Sequence, residues 1–328
     1  MSNTWKSPQE LPVSTIGIAA TRGFIESSGH GAVTAVFRRS CYCQWEGGPL
    51  FCVADGSSGA GPITLSVNLP ETANLEDMGV AIGAPVVARD SRIYLGNRII
   101  LSLDSADIWQ PTQVSEFAST ETIQTRLLNL AAGLKPSLPP AGLAPLLPHV
   151  AQLAQGRIPQ IPNLAPLTDL AAPRVARLCH GILNDAPGII DEAVQDLVGL
   201  GPGLTPSGDD LLAGLLVALA AISAPDRIMP ALVESVQTHA RTGTNRISQA
   251  LLEQAAEGNG SQRQHQFLSQ LLGAASDDRV ETSAIALTQV GHTSGWDSLV
   301  GLMLGTHLGL VLERRSTYSP PIASGSTI

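Results

Sequence analysis

The spacing of apolar residues changes character about a third of the way along the chain. Between residues 16 and 109, short runs of apolar and β-branched residues alternate with clusters of Gly, Pro, Asp and Ser. This alternation is typical of strands separated by turns. It predicts strands at residues 33–37, 50–53, 63–67 and 98–101. We therefore expect this part of the chain to form a small β-sandwich or β-barrel.

Beyond Pro111 the apolar residues recur three and four positions apart, as they do along one face of a helix. The first helix is predicted over residues 114–132. A Pro- and Leu-rich stretch at residues 135–173 then favours short helical turns in an ordered connector. Nearly all of the chain after it has a helical pattern. The further predicted helices cover residues 173–183, 187–198, 208–223, 225–242, 245–257, 261–275 and 295–313.

These patterns together predict an α+β protein in which a β-rich domain precedes a mostly α-helical domain. A length of 328 residues fits about two domains. We expect a β-rich domain at 12–112, a helix and connector at 113–175, a helical domain at 176–315 and a frayed tail at 316–328. The tail is expected because its Ser, Thr, Pro and Gly residues give it little to bury.

Composition narrows the possible functions. Hydrophobic residues make up 44% of the chain and charged residues 14%, which argues against extended disorder. The 19 basic and 28 acidic residues leave a net charge of -9, which argues against binding to nucleic acid or to a membrane surface. The only lysines are Lys6 and Lys135. Neither lies in a motif suited to a Walker-type phosphate loop or to Schiff-base chemistry.

The chain has no apolar targeting segment near Met1, and its longest apolar stretch, residues 211–222, is shorter than the roughly 20 residues of a membrane span. We therefore expect a cytoplasmic protein in which this stretch forms a buried helix. The four cysteines lack the paired spacing of a zinc site. They are expected to be buried, reduced thiols.

The most informative segment is residues 199–214, with the sequence GLGPGLTPSGDDLLAG. Its glycines allow backbone N–H groups to come close to an anion, and the positive end of the following helix would attract it. Ser207 and Asp210 fit a capping box, with Ser207 as the N-cap. The structural alternative is a well-capped core helix after a tight turn.

A second segment, residues 291–305 (GHTSGWDSLVGLMLG), repeats the helix start of the first. Both contain Ser-Gly-x-Asp-x-Leu-x-Gly-Leu, beginning at Ser207 and at Ser294. Small residues four apart in each helix allow two backbones to pack closely. These residues are Gly214 and Ala218 in one helix and Gly301 and Gly305 in the other. Our hypothesis is that the helices pair about a pseudo-two-fold axis and direct both serines at one shared anionic ligand.

Between these motifs, residues 242–248 (TGTNRIS) form a polar loop that enters a helix. Arg246 is the only cation within the three motifs, which makes it the natural partner of a substrate carboxylate or phosphate. An arginine at a helix start is also common on protein surfaces. His292 is a candidate for proton transfer near neutral pH, although a lone histidine is often structural.

Asp209 and Asp210 offer an alternative, because Mg²⁺ usually takes one or two protein carboxylates together with water and phosphate oxygens. A carboxylate beside an anion site repels the anion unless it caps amides or is neutralised by a metal. Capping accounts for Asp210 more simply and leaves the role of Asp209 open. Apart from this magnesium possibility, no cofactor is expected.

The three motifs, in this order, resemble those of the family that includes AllH (YlbF), a subunit of bacterial oxamate carbamoyltransferase. The resemblance is strong from residue 199 to residue 309. It implies transfer of a carbamoyl group between a ureido acid such as oxalurate and phosphate, giving oxamate and carbamoyl phosphate in allantoin or purine nitrogen catabolism. It also implies a multi-subunit enzyme with FdrA-like and AllG-like partner subunits.

Carbamoyl transfer passes through a negatively charged tetrahedral centre, so it needs positioned N–H and hydroxyl donors more than a strong nucleophile. We expect three groups of residues to supply them. The phosphate or carbamoyl oxygens would contact Gly201, Gly203, Thr205, Ser207 and Gly208. The substrate carboxylate would contact Thr244, Asn245 and Arg246. The opposite side would be formed by His292, Thr293, Ser294 and Gly295, with His292 as the proton carrier.

Two other functions remain open from the sequence. One is a non-catalytic, anion-binding scaffold subunit whose chemistry occurs on a partner chain. The other is a Mg²⁺-dependent amidohydrolase built on Asp209 and Asp210, with Ser207 activated nearby. Sensitivity of the activity to chelators would separate this hydrolase from the transferase.

Overall fold

A computed structural model describes residues 8–26, 28–222 and 228–317. Its β-rich part is a closed sheet in the strand order β5-β4-β3-β2-β6-β7-β8-β1. Antiparallel pairing of β1 with β5 closes these eight strands into a barrel, and β9 pairs in parallel with the end of β1. The strands are β1 (Gln9–Gly17), β2 (His30–Val36), β3 (Ser40–Trp45), β4 (Leu50–Asp55), β5 (Thr64–Val67), β6 (Pro85–Arg89), β7 (Arg92–Leu95), β8 (Ile99–Ser102) and β9 (Asp107–Trp109).

The barrel is filled by side chains that alternate along its strands. On β3, for example, Cys41, Cys43 and Trp45 point inward and are buried, whereas the residues between them are partly exposed. Trp45 stacks on Phe51 of β4 with ring centroids 4.8 Å apart. All four cysteines are buried and free, as expected. A short helix, α1 (Ile18–Glu26), follows β1 and packs on the barrel.

The four predicted strands correspond to β2, β4, β5 and β8, which confirms the α+β class and makes the barrel, rather than the sandwich, the correct alternative. Strands β1, β3, β6, β7 and β9 were not predicted. Several of them are short or partly exposed, so their apolar runs are interrupted. Their pairing partners along the barrel hold them in an extended conformation.

The rest of the described chain is mostly helical. The helices are α2 (Thr120–Leu134), α3 (Val150–Leu153), α4 (Pro166–Leu183), α5 (Pro187–Leu197), α6 (Ser207–Ala221), α7 (Ile228–Gly243), α8 (Arg246–Ala256), α9 (Gln262–Leu272), α10 (Asp277–Thr288) and α11 (Ser294–Thr317). This part of the chain also contains two 3-10 helical segments, Lys135–Ser137 and Ala144–His149.

Helices α2, α4 and α10 differ most from the sequence-based expectation. Helix α2 begins at Thr120 instead of residue 114. Helix α4 begins at Pro166 instead of residue 173, because a proline is tolerated in the first turn and the helix then continues through Pro173. Helix α10 was not predicted. Its buried face carries the apolar residues Val280, Ala284 and Leu287, a pattern too sparse to stand out among its many polar positions.

The helical core is organised around the crossing of α6 and α11. A Cβ atom added to Gly214 would lie 2.4 Å from the carbonyl oxygen of Ser298, and one added to Gly301 would lie 2.1 Å from that of Leu211. Ser298 and Leu211 occupy equivalent positions in the two repeats, so the two contacts are related by the pseudo-two-fold axis. The predicted close, symmetric pairing of these helices is therefore confirmed.

Helix α11 is long and apolar enough, by length and composition, to cross a membrane, but 83% of that window is buried inside the protein. Helix α6, which contains most of the 211–222 stretch, is also buried along most of its length. Both are surrounded by the other helices and by residues of the Pro- and Leu-rich stretch, including Leu143, Leu147 and Leu153. Core packing accounts for the apolar character of both helices.

The barrel contacts the helices through α8 and α9. Ile247 of α8 packs in one apolar cluster with Leu50 and Ile63 of the barrel. Ala60, in the loop before β5, exchanges two hydrogen bonds with Gln262 of α9: the Ala60 N–H donates to Oε1 at 2.9 Å, and the Gln262 N–H donates to the Ala60 carbonyl at 2.8 Å. These contacts place β3 next to the start of α8.

We expect Gly301→Ala to lower the free energy of unfolding by about 3 kcal/mol, because the new methyl group must push α11 away from the backbone of α6. Urea denaturation measures this change. Gly188→Ala in α5 is the matched control, since a Cβ there meets no atom within 4 Å. Equal stability of the two variants would contradict the close crossing.

Asp55 provides a second test, within the barrel. Burial favours a higher pKa, but hydrogen bonds from Ser57 and the Leu69 N–H, together with Arg39 at 2.8 Å, lower the pKa of Asp55 to about 2. Because this value lies below the ordinary 3.8, the carboxylate stabilises the fold above pH 3.8, and its contribution disappears as the pH falls toward 2.

Asp55→Asn should therefore be less stable than wild type by about 2 kcal/mol at neutral pH, and the difference should close near pH 2. Denaturant unfolding at a series of pH values measures it. Asp77→Asn, at an exposed barrel position, serves as the control. A difference between Asp55→Asn and wild type that stays constant between pH 7 and pH 2 would refute this account of Asp55.

Candidate functional site

The three motifs singled out from the sequence meet at one end of the α6–α11 crossing. The Thr205 hydroxyl lies 2.8 Å from the Ser294 hydroxyl and so joins the first motif to the second. The Asn245 side chain donates from Nδ2 to the carbonyl of Leu204 at 2.8 Å, which attaches the start of α8 to the same loop. Arg246 reaches Gln44 of β3 at 3.4 Å. The site therefore lies where the barrel and the helical core meet.

The expected capping box is wrong. Helix α6 begins at Ser207, its N-cap is Pro206, and no side chain caps it. The Gly208 N–H donates to the carbonyl of Leu200 at 2.9 Å, and the Asp209 N–H donates to that of Pro206 at 2.9 Å. The glycine-rich loop folds back and satisfies these amides itself.

Helix α11 begins in the same way. The Gly295 N–H donates to the carbonyl of Val290 at 3.0 Å, and the Asp297 N–H donates to that of Thr293 at 2.9 Å. The N–H groups of Gly208, Asp209, Gly295 and Asp297 are thus engaged within the protein. A shared anion at this junction would have to use side-chain donors or other amides.

Asp209 holds the first motif to α8. Its buried carboxylate accepts hydrogen bonds from the Gly199 N–H at 2.8 Å, the Thr244 hydroxyl at 2.5 Å and the Ser248 hydroxyl at 2.6 Å. Burial raises the pKa of Asp209, while these hydrogen bonds act to lower it. Both oxygens of Asp209 are occupied, which gives this residue a structural role that the sequence left open.

Asp210 and Asp297, the equivalent aspartates of the two repeats, face the partner repeat's serine. The Ser294 hydroxyl lies beside Asp210, and the Ser207 hydroxyl lies beside Asp297. The Leu143 N–H also donates to Asp297 Oδ1 at 2.5 Å. The crossing therefore connects each aspartate to the opposite helix start.

Burial is the largest cause that raises the pKa of both Asp210 and Asp297. The negative charge of Asp297 raises the pKa of Asp210 further. The inner oxygen Oδ2 of each carboxyl is buried and accepts no hydrogen bond from the described residues. Two acceptor atoms at the centre of the site therefore lack donors.

The expected site residues differ in how accessible they are. Arg246 and His292 are exposed, and Arg246 donates to Gln249 at 3.2 Å. Asn245 is exposed but acts as the N-cap of α8, where it accepts from the N–H groups of Ile247 and Ser248. Ser207 is only 2% exposed. Of the remaining expected residues, Gly208 and Gly295 are buried and Gly201, Thr205, Thr244, Thr293 and Ser294 are partly exposed.

Gly201 and Gly203 of the first loop have different surroundings. Gly201 has φ +117°, and a Cβ there would lie 2.9 Å from the Ser207 nitrogen, so glycine lets the loop close over the helix start. Gly203 has φ +99° and an exposed, open surrounding in which a Cβ would meet nothing within 4 Å. The loop is thus packed at Gly201 and open to solvent at Gly203.

The parts of the chain that form this junction and the barrel match models of known protein families. Residues 197–306 match the family model described as oxamate carbamoyltransferase subunit AllH, and residues 14–108 match the AllH family N-terminal domain. The chain belongs to the AllH family. The first match contains all three motifs, and the second covers most of the barrel. No solved structure matches the chain.

The AllH family name supports a subunit role in oxamate carbamoyltransferase, a transferase, and a subunit implies a multi-subunit assembly.

Two residues of this AllH-family chain were not among the sequence-based site candidates. Asp297 was visible as the repeat equivalent of Asp210. Tyr42 on β3 lies close to Asp210. Burial raises the pKa of the Tyr42 phenol, and Cys52 and the negative charge of Asp210 raise it further. No local pattern connects Tyr42 to the motifs, because the contact forms only when the barrel docks.

A double-mutant cycle tests the Asp209 connection. We expect Asp209→Asn to destabilise the fold by about 2 kcal/mol, since a buried charge-assisted acceptor is lost. Its effect and that of Ser248→Ala should be non-additive by about 1 kcal/mol or more in urea denaturation, because the two groups share one hydrogen bond. The control pair is Asp209→Asn with Ser283→Ala, whose hydroxyl bonds to Val280. Additivity in both pairs would disprove the connection.

Proposed function

We propose that this chain takes part directly in carbamoyl transfer between an oxalurate-like ureido acid and phosphate, giving oxamate and carbamoyl phosphate. The observation that carries the proposal is the convergence of the three motifs on one junction, within the region that matches the carbamoyltransferase subunit family. The pathway that such a reaction serves is allantoin or purine nitrogen catabolism, in the cytoplasm.

The reaction needs a group that binds the substrate carboxylate, hydrogen-bond donors to the carbamoyl oxygen and a residue that carries a proton. A phosphate oxygen attacks the carbamoyl carbon, the bond from that carbon to the amide nitrogen breaks, and the nitrogen leaves as oxamate. The proton of hydrogen phosphate passes to this nitrogen, so no oxidant or other co-reactant is required. The negative charge on the tetrahedral centre is stabilised by hydrogen-bond donors.

The accessible residues of the junction match these needs. Arg246, exposed at the start of α8, can hold the substrate carboxylate through two parallel hydrogen bonds. The partly exposed hydroxyls of Thr205 and Ser294 can donate to the carbamoyl oxygen. His292 is exposed two residues before Ser294 and is the proposed proton carrier. The open loop at Gly203 leaves room for phosphate.

The other expected residues support these groups in our proposal. Thr244 and Asn245 position the start of α8 through their bonds to Asp209 and Leu204. Ser207, Gly208, Thr293 and Gly295 form the inner ends of the two helix starts. FdrA-like and AllG-like subunits would complete the enzyme.

The internal bonding of the helix-start amides favours a second candidate function. Because the Gly208 and Gly295 N–H groups donate to loop carbonyls, the chain by itself presents fewer donors than an anion site built on bare helix ends. A non-catalytic scaffold subunit, with the chemistry on a partner chain, would fit this feature. The two functions differ in what they predict for Arg246.

We expect Arg246→Ala to reduce phosphate-dependent formation of carbamoyl phosphate from oxalurate by at least about 100-fold in the assembly with its partner subunits, because the carboxylate loses its bidentate partner. The exposed Arg241→Ala is the matched control. Circular dichroism and size-exclusion chromatography check that fold and assembly are retained. Full activity of the Arg246→Ala assembly would favour the scaffold, and absence of product from the wild-type assembly would remove the transferase.

A further inference from the structure

The inner oxygens of Asp210 and Asp297 are a second feature of the junction, and they lie beside the Thr205 and Ser294 hydroxyls used above. Asp297 is 0% exposed, and its Oδ2 has no hydrogen-bond partner among the described residues. The Oδ2 atom of Asp210 is buried and unpartnered in the same way. A buried carboxylate is strongly unfavourable unless it is paired with a positive charge, coordinates a metal or takes up a proton. These two oxygens therefore call for a proton or for a cation shared between them.

Within residues 8–26, 28–222 and 228–317, no basic side chain forms an ion pair with Asp210 or Asp297. Two hydroxyls and the carboxyls of Asp297 and Asp209 lie around Asp210. The Leu143 amide and two hydroxyls lie around Asp297. Arg246 donates to Gln44 and Gln249 instead.

The side-chain groups described beside the two carboxyls are hydroxyls, whose oxygens are hard ligands. Ser294 and Thr205 lie beside Asp210, and Ser207 and Thr293 lie beside Asp297. The Thr205 and Ser294 hydroxyls are themselves 2.8 Å apart. Oxygen donors without nitrogen or sulfur select Mg²⁺, Mn²⁺ or Ca²⁺ over Zn²⁺.

The number of carboxylates narrows the choice of metal ion further. The described residues contain no group of three or more His, Cys, Asp or Glu side chains that could hold a metal ion. Two carboxylates suit Mg²⁺, which commonly uses one or two protein carboxylates and keeps water in its remaining positions. Thr205, Asp210 and Ser294 are partly exposed, so water and an ion can reach the pair from that side.

The pseudo-two-fold symmetry supplies the aspartate and the serine twice. Asp210 is equivalent to Asp297 and Ser207 to Ser294, and each aspartate is placed beside the opposite serine. Thr205 and Thr293 are not equivalent, because they align with His292 and Pro206. An ion held by the two carboxyls thus receives one aspartate and one serine from each of α6 and α11. The set differs from the adjacent Asp209 and Asp210 suggested by the sequence, because Asp209 already accepts three hydrogen bonds from Gly199, Thr244 and Ser248.

We propose that Asp210 and Asp297, assisted by the hydroxyls of the two helix starts, bind one divalent cation of the Mg²⁺ class at the α6–α11 crossing. The ion neutralises the two buried carboxylates and joins the two repeats. It also removes the negative charge that would otherwise repel phosphate from this junction. The proposal concerns binding by this chain alone, without partner subunits or substrate.

The test is binding of Mn²⁺, as a probe for Mg²⁺, to the full chain after chelator treatment, by calorimetry and by electron paramagnetic resonance. We expect one Mn²⁺ per wild-type chain, displaced by excess Mg²⁺, and a higher unfolding temperature when Mn²⁺ is present. Asp297→Asn should weaken binding by at least about 100-fold and remove the thermal shift, since one of the two charged ligands is lost. Asp278→Asn, at an exposed acid in the first turn of α10, should bind as wild type does.

Ser294→Ala, which keeps both carboxylates, provides a milder variant if Asp297→Asn does not fold; we expect it to weaken binding about tenfold. Wild-type protein that binds no Mn²⁺ at millimolar concentration would overturn the proposal. An infrared band of a protonated carboxylic acid in wild type, absent in Asp297→Asn and unchanged by Mn²⁺, would show that the pair holds a proton instead. Equal Mn²⁺ affinity of wild type and Asp297→Asn would overturn it as well.

Discussion

Backbone contact between α6 and α11 is the constraint on which the helical part of this protein depends. At Gly214 and Gly301 the helices approach so closely that a methyl group on either glycine would overlap a carbonyl oxygen of the other helix. Such an approach fixes the two helix starts side by side. It also fixes which side chains meet there, because each repeat presents its aspartate to the serine of the other.

This crossing gives the junction a particular charge distribution. The loops that precede α6 and α11 return their carbonyls to the helix-start amides, which removes the donors that isolated helix ends would offer. What remains inside is acidic, with unpartnered oxygens on Asp210 and Asp297. The positive and titratable side chains, Arg246 and His292, lie at the surface around this acidic centre. A phosphate or carboxylate ligand therefore depends on these surface side chains, whereas the acidic interior suits a cation.

The barrel contributes to the same junction from outside the motifs. Its strand β3 brings Tyr42 and Gln44 to α8, and an apolar cluster around Ile247 holds the two parts together. Asp209 extends this connection inward by binding Thr244 and Ser248, next to Arg246. Movement of α8 against α6 would break these hydrogen bonds, so the position of Arg246 is tied to the buried end of α6.

The sequence alone determined the order of the two structural classes, most helices, the glycine-based pairing of α6 with α11 and the family resemblance. These follow from periodicity and from a repeated motif, which are local properties of the chain. It did not determine the closure of the barrel, the missed strands or the continuation of α4 through Pro173, since these depend on partners distant in sequence. Only the tertiary structure decided that loop carbonyls, not Ser207, cap α6, and that Asp297 faces the opposite helix start. The cap of α6 depends on how the glycine-rich loop closes over the helix start, and the contacts of Asp297 join groups far apart in the chain, so neither leaves a pattern in the neighbouring residues.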